Sequence, residues 1–361
     1  LCTAEPIVTL KTLEPISVKK GRITYLPNCR ENLPVFPLPK EQQEGYIYDF
    51  GENLAGNIRL RIKGERGQMV CLQFGELLAE DGGLDLRGMS FQPQLYDHRI
   101  TYYLKGDGAE EYTPTFTYQG FRYCMVSGIT DEQAVPELLT YEVMSSDLKI
   151  NGSFSCSDDI VNKLQRATYN ADSSNFYYFP TDCPHREKNG WTADAALSAE
   201  QMLFHLTPEV SYHEWLNNIR KAQREDGALP GIVPTGGWGF DWGNGPAWDC
   251  VLFYLPYYPW IYRNDTDIIR ENAGAFMRYL HYISTRRDEH GLVHIGLGDW
   301  LHIGCAVPKA PLEVTDTLKC MDMCHMAEVM FGVIGMTAQA AFAKALYEEF
   351  RTAARRELIL D

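Results

Sequence analysis

The feature that most constrains this chain is a single change of hydrophobic period near residue 150. From Ile7 to about Met144 the sequence runs in short alternating stretches between turn residues: GYIYDFG, GNIRLRIKG, MVCLQFGELL, RITYYLKGDG and YTPTFTYQGFRYCMVSG. In NIRLRIKG, Ile58, Leu60 and Ile62 alternate with Arg59, Arg61 and Lys63. Successive side chains of a strand point to opposite faces, so this is a strand with one apolar and one wet face. Several such strands joined by glycine-rich turns pack as an antiparallel sandwich. Tyr118, Phe121 and Tyr123 are spaced like core residues, which favours a packing and pocket-supporting domain over an independent lectin. Glu76, at a strand end in FGELL, either hydrogen-bonds structurally or reaches the barrel, and its place at the strand end favours the structural role.

Beyond about residue 155 the period becomes helical. SDDIVNKLQRATYNADSSNFYYF opens with Ser157 as a candidate N-cap and two acids in the first turn, followed by Ile160, Leu164 and Ala167 at helical spacing. TADAALSAEQMLFHL, PEVSYHEWLNNIRKAQ, PAWDCVLFYLPYYPWIYR, TDIIRENAGAFMRYLHYISTRR, LKCMDMCHMAEVMFGVIG and TAQAAFAKALYEEFRTAARREL continue the pattern. About seven helices of this length predict stacked helical hairpins rather than one small bundle. The expected division is a β-sandwich over residues 1–148 and a helical domain over 149–361.

Charge and cysteine content narrow the partners. With 33 basic against 48 acidic residues the formal charge is −15, which leaves no basic face for nucleic acid or an anionic membrane and suits a neutral substrate. No apolar run approaches the ~18 residues of a membrane span, and no basic segment followed by an apolar one reads as a signal peptide. Compartment stays open between the cytoplasm and the periplasm or secretion. The ten cysteines are scattered rather than set in a dense framework, as reduced packed thiols would be. Cys320, Cys324 and His325 come closest to a metal cluster, but they fall within one helical stretch and lack a second pair of ligands. Phosphate-loop, dinucleotide, nucleophile-elbow and HExxH patterns do not occur, and nothing demands a cofactor. Asn151 and Asn264 begin glycosylation patterns that matter only in a eukaryotic secretory setting.

The densest chemistry lies in FPTDCPHREKNGWTADA, residues 179–195. Pro184 and Gly190 interrupt regular structure, so residues 180–191 form a loop at the mouth of a helix whose expected N-cap is Thr192. Taken singly, Asp194 reads as dipole compensation and Arg186 with Glu187 as a solvated ion pair. Taken together, Asp182, Glu187 and Asp194 stand beside Trp191 and the run Phe176, Tyr177 and Tyr178. Crowded carboxylates near aromatic walls raise one another's pKa, which keeps one acid protonated near neutral pH. Aromatic faces also suit the CH-rich faces of sugar rings, and the combination suggests a glycoside site.

These residues resemble a family. TDCPHREKNGWTADA is similar to the signature of the bacterial α-L-rhamnosidases of glycoside hydrolase family 78. YDFGENLAGNIRLRIKGERG, GELLAEDGG and YTPTFTYQGFRYCMVSG resemble the β-sandwich that precedes the catalytic domain in that family. GSFSCSDDIVNKL resembles the entry to its (α/α)6 barrel, and GLGDWL a barrel loop lining the sugar pocket. The resemblance implies a β-sandwich followed by an (α/α)6 barrel, with Glu187 as general acid and Asp182 and Asp194 holding rhamnose hydroxyls. Arg186 and Trp191 belong to the same motif, Asp299 and Trp300 match positions near the sugar, and Trp248 and Asp249 in NGPAWDC are further pocket candidates. His185, Lys188, Asn189 and Ala193 stand where the family commonly shows Gln, Arg, Leu and Gly, which bears on substrate preference more than on chemistry.

The implied reaction is inverting hydrolysis of a terminal α-L-rhamnoside, in which a second carboxylate about 6.5–9.5 Å from the acid activates water. The family's general base lies late in the barrel, and no match to that region occurs before Asp361. The expectation is therefore an N-terminal portion of a longer product, with an incomplete barrel that leaves VLFYLPYYPWIY and MAEVMFGVIGM exposed. Another α/α-barrel glycosidase, acting on a glucoside or an unsaturated uronide, and a catalytically inactive rhamnose-binding homologue are the alternatives. A homodimer is left open.

Overall fold

The computed structural model describes residues 4–27, 39–89, 98–240, 244–300 and 309–359. The alternating stretches form ten strands: β1 (Ile7–Leu13), β2 (Ser17–Tyr25), β3 (Glu44–Lys63), β4 (Met69–Gly75), β5 (Leu77–Leu78), β6 (Leu84–Asp85), β7 (Arg99–Tyr103), β8 (Ala109–Tyr112), β9 (Gln119–Ser127) and β10 (Leu139–Ser146). Their pairing is antiparallel except where β2 runs parallel to β6. The 20-residue β3 pairs with β2, β8, β9 and β10 along its length. Its register on β9 breaks between Asp49 and Leu54. Gly51 sits in that break at φ 81°, a conformation costly for a residue with a Cβ, and Asp49 accepts hydrogen bonds from Gly51 N–H and from Arg122.

Ile58, Leu60 and Ile62 are buried, while Arg61 and Lys63 of the same strand are exposed. The apolar face packs with Tyr48, Leu72, Phe74, Phe121 and Tyr141, and Phe121 stacks on Tyr141 with ring centroids 4.0 Å apart. Full burial of each large apolar side chain contributes about 1.5–3 kcal/mol. Tyr123 joins a smaller cluster with Ile23, Ile47 and Met125. Tyr118 departs from the core-like spacing: it leaves the sandwich and stacks on Tyr177 of the helical part, 3.7 Å between centroids.

The helical part comprises α1 (Asp159–Ser174), a hairpin of β11 (Phe176–Tyr177) and β12 (Phe179–Pro180), then α2 (Thr192–Met202), α3 (Glu209–Ala222), the single turn α4 (Pro246–Asp249), α5 (Val251–Arg263), α6 (Asp267–Ser284), α7 (Leu312–Val333) and α8 (Thr337–Glu357). Two caps differ from expectation. Asp158, not Ser157, caps α1, because its carboxylate accepts from the N–H groups of both Ile160 and Val161. Thr192 is the first residue of α2 rather than its cap, since its N–H and hydroxyl both donate to Gly231 O. Cys250 separates α4 from α5, while Pro256 and Pro259 stay inside α5.

The helical core gathers Trp215, Phe253, Phe276, Tyr279, Met330, Phe331 and Phe350. The apolar faces expected to be bare are largely covered. Residues 251–255 of α5 and Met326, Ala327, Met330 and Phe331 of α7 are buried, because α5 packs against α2, α3, α6 and α7, and α7 also packs against α8. Solvent instead reaches Ile160 and Leu164 of α1, at 76% and 65% exposure, and Leu318 of α7. Cys320 and Cys324 point into the core while His325 faces out, so the three do not converge.

Candidate active site

The β11–β12 hairpin delivers the chain to the acid loop. Tyr178 turns it at φ 67° and donates its N–H to Ser146 Oγ at 2.8 Å. Asp182 and Asn189 then close the loop on itself: Asp182 N–H donates to Asn189 O at 3.1 Å, and Asn189 N–H donates to Asp182 Oδ1 at 2.9 Å. Residues 184–187 form a turn between them. The far end is pinned by the Trp191–Ile232 bridge and by Val233 N–H donating to Gly190 O at 2.9 Å. Lys188 takes a left-handed φ of 58°, an uncommon conformation for a residue with a Cβ.

Inside this loop the indole Nε1–H of Trp191 donates to Glu187 Oε2 at 2.6 Å. Burial raises the Glu187 carboxyl above the ordinary range and the Asp182 charge adds to the rise, while the Trp191 hydrogen bond and the Arg186 charge oppose it. Asp182 is also raised by burial, against the hydrogen bonds that it accepts from the Cys183 thiol, at 2.9 Å, and from Asn189. Asp194 is exposed, yet the protein around its carboxyl, then the Asp182 and Glu187 charges, push it up to about 6. Three carboxyls therefore influence one another across one loop and the first turn of α2. Such a group can hold a proton at neutral pH on one member while the others accept hydrogen bonds.

An aromatic file leads away from the acid. Trp191 meets Trp248 edge-on, 6.4 Å between centroids, and Trp248 meets Trp300 in the same manner at 6.4 Å. Trp248 is buried, whereas Trp300 and its neighbour Asp299 are exposed. Arg186 is half-buried rather than a solvated surface charge. Asp249, expected among the pocket residues, turns instead into the helical core. It is fully buried and accepts from Tyr279 OH at 2.8 Å and Gly245 N–H at 3.1 Å, and burial drives its carboxyl far above the normal range. The one-turn helix α4 thus presents Trp248 to the aromatic file and sends the next side chain inward.

Of two further features, one escaped sequence reasoning and the other was its less favoured alternative. Asp316 is fully buried near Asp249, is pushed up by burial to about 7, and accepts Ile295 N–H at 2.8 Å. With Thr317, whose Oγ1 accepts Val293 N–H at 3.0 Å, it anchors the segment that leads to Trp300. Periodicity gave it no mark, because α7 carries several other acids, Glu313, Asp322 and Glu328 among them. The second is the reach of the sandwich: Glu76 Oε2 lies 3.5 Å from His185 Nε2, and Lys188 Nζ sits 5.3 Å from the Tyr118 ring centroid.

Comparisons with known proteins agree with this architecture. The bacterial alpha-L-rhamnosidase 6 hairpin glycosidase domain matches residues 149–358, and the bacterial alpha-L-rhamnosidase concanavalin-like domain matches residues 40–145. A curated alpha-L-rhamnosidase of Formosa agariphila is 29% identical over 274 residues, which are 71% of this chain and 28% of that protein. Among solved structures, an alpha-L-rhamnosidase from Dictyoglumus thermophilum superposes with TM-score 0.84 at 28% identity, covering 98% of this chain and 37% of that one. The Streptomyces avermitilis alpha-L-rhamnosidase, complexed with L-rhamnose, gives 0.82 at 26% identity over 99% of this chain and 32% of its own. This chain therefore spans less than two fifths of these relatives. Because the six-hairpin domain alone accounts for residues 149–358, more than half of the chain, the chain belongs to the bacterial α-L-rhamnosidase family.

Proposed function

We propose that this chain carries the general-acid side of an inverting α-L-rhamnosidase site, acting on a terminal α-L-rhamnoside. The observation that carries the reading is the Glu187 carboxyl, raised by burial and by Asp182, and oriented by a 2.6 Å hydrogen bond from Trp191. In this reading Glu187 protonates the departing glycosidic oxygen. Asp182 and Asp194 accept sugar hydroxyls, and Arg186 moderates the Glu187 charge. Trp191, Trp248 and the exposed pair Asp299 and Trp300 line the approach of the ring. The substrate class is supported by the names of the relatives and by the L-rhamnose bound in the Streptomyces structure.

Water activation needs a second carboxylate about 6.5–9.5 Å from the acid, on the opposite ring face. Asp182 and Asp194 lie on the acid's own loop and helix start; since this chain spans less than two fifths of its relatives, our reading gives the base to a residue outside 1–361. The proposed division of labour places the sandwich at residues 1–148 and the barrel portion at 149–361.

The test is hydrolysis of a panel of p-nitrophenyl glycosides by the full-length gene product and by residues 1–361. Turnover of the α-L-rhamnoside by the full-length protein is expected. Glu187→Gln should slow a poorly activated rhamnoside about 10²–10⁴-fold, the range set by a positioned general acid. Unimpaired turnover by that variant would rule out Glu187 as the acid, and rhamnose binding without turnover by wild type would make this a sugar-binding homologue.

A further inference from the structure

The turn that carries Glu187 is gripped from behind by the strand part. Pro184 packs on Gly120 of β9 so closely that a Cβ there would meet Pro184 Cγ at 2.6 Å. Lys188 lies over the Tyr118 ring, which stacks in turn on Tyr177. His185, only 6% exposed, sets Nε2 at 3.5 Å from Glu76 Oε2, just past the end of β4. Glu76 is itself held, since Asn53 Nδ2–H donates to its Oε1 at 2.9 Å. Three grips, at Pro184, His185 and Lys188, therefore face the sandwich while Glu187 and Trp191 face each other in the site.

The His185–Glu76 contact has a defined polarity. Burial, aided by the nearby Arg186, His98 and Lys188, holds the His185 ring down at about 3, so it is neutral at working pH. A neutral imidazole has one N–H and a carboxylate can only accept, so the N–H belongs on Nε2, directed at Glu76 across 3.5 Å, a contact longer than a close hydrogen bond. Nδ1, buried without a hydrogen-bond partner, is then left as a bare acceptor. One ring orientation aims the N–H at Glu76, and the ring that takes it is borne two residues ahead of Glu187. A catalytic group borne on a turn needs such support, because a displacement of about 1 Å can cost on the order of 10²-fold in rate.

We propose that Glu76 of the strand part is a positioning residue for Glu187, acting through His185. The inference rests on the reading of Glu187 as general acid. It also makes the sandwich a working part of the acid rather than a neighbouring support.

The experiment uses the full-length protein, with Glu76→Ala, Glu76→Gln, His185→Ala and the Glu76→Ala/His185→Ala double variant. The indole ¹H–¹⁵N resonance of Trp191, assigned by its loss in Trp191→Phe, reports the Glu187 hydrogen bond and needs no turnover. It should shift, with a changed pH midpoint, in Glu76→Ala and stay near wild type in Glu76→Gln, whose amide oxygen still accepts from the neutral ring. On phenyl α-L-rhamnoside, kcat of Glu76→Ala should fall about 10- to 100-fold, with KM within about twofold. On the 2,4-dinitrophenyl glycoside, which needs little protonation, the loss should stay under about threefold. The double variant should be no slower than the worse single, as expected when two residues act in series. An unmoved Trp191 resonance, equal losses on both substrates, or additive losses in the double variant would overturn the proposal. Wild-type silence on both rhamnosides would instead sink the rhamnosidase reading, while the Trp191 resonance would still decide the role of Glu76.

Discussion

Pro184 of the acid turn lies against Gly120 of the sandwich at a separation that leaves no room for a side chain: an added Cβ would stand 2.6 Å from Pro184 Cγ and 3.0 Å from its Cβ. Strand β9 and the turn bearing Glu187 therefore touch backbone to ring. The Gly120→Ala substitution tests this contact. The methyl group must push the turn away, so kcat should fall about 10-fold or more, with a loss of about 1–3 kcal/mol from overpacking. Thermal unfolding and rhamnoside turnover measured on one preparation check both. Wild-type values for both would show that the turn yields freely.

Trp191 stabilises the charged form of Glu187 by donating to it at 2.6 Å. Removing that donor in Trp191→Phe should raise the Glu187 pKa further. The alkaline limb of the pH–kcat/KM profile, where a general acid loses its proton, should then move to higher pH while overall activity drops. A limb that stays in place would assign it to another group.

Asp194 couples the site to stability. Its folded carboxyl titrates at about 6, whereas an Asp in an unfolded chain titrates near ~4. The folded protein thus binds this proton more tightly than the unfolded one does. The resulting stability is fully present below about pH 4 and is lost as the pH rises through about 6. Asp194→Asn should therefore raise the urea midpoint at pH 7, change it little at pH 4, and weaken rhamnose binding at both. Equal midpoints at pH 7 would contradict the elevated carboxyl.

Much of this molecule is legible in its sequence. The alternation of Ile58, Leu60 and Ile62 with charged residues carries its own burial pattern, because a strand has only two faces. The seven helical stretches likewise became α1 to α8, with PAWDCVLFYLPYYPWIYR divided at Cys250 and the aromatic run Phe176 to Phe179 leaving the first helix for the β11–β12 hairpin. The shift from Ser157 to Asp158 at the start of α1 reflects a local contest between neighbouring acceptors, which periodicity does not resolve. The grouping of Asp182, Glu187, Trp191 and Asp194 was readable because all four lie within one loop and the first turn of the following helix.

What spacing could not supply were directions and distant neighbours. Trp248 and Asp249 are adjacent, yet one lines the aromatic file and the other is buried against Tyr279. Glu76 and His185 are more than a hundred positions apart and meet only because β4 and the acid turn pack together. The sequence by itself determined the two periods, the division of strands from helices and the local cluster of acids, since each rests on residues within a few positions of one another. Tertiary structure alone decided which acids face the site, which are buried, and that the sandwich grips the turn of Glu187, because those outcomes depend on packing between segments that the chain order leaves far apart.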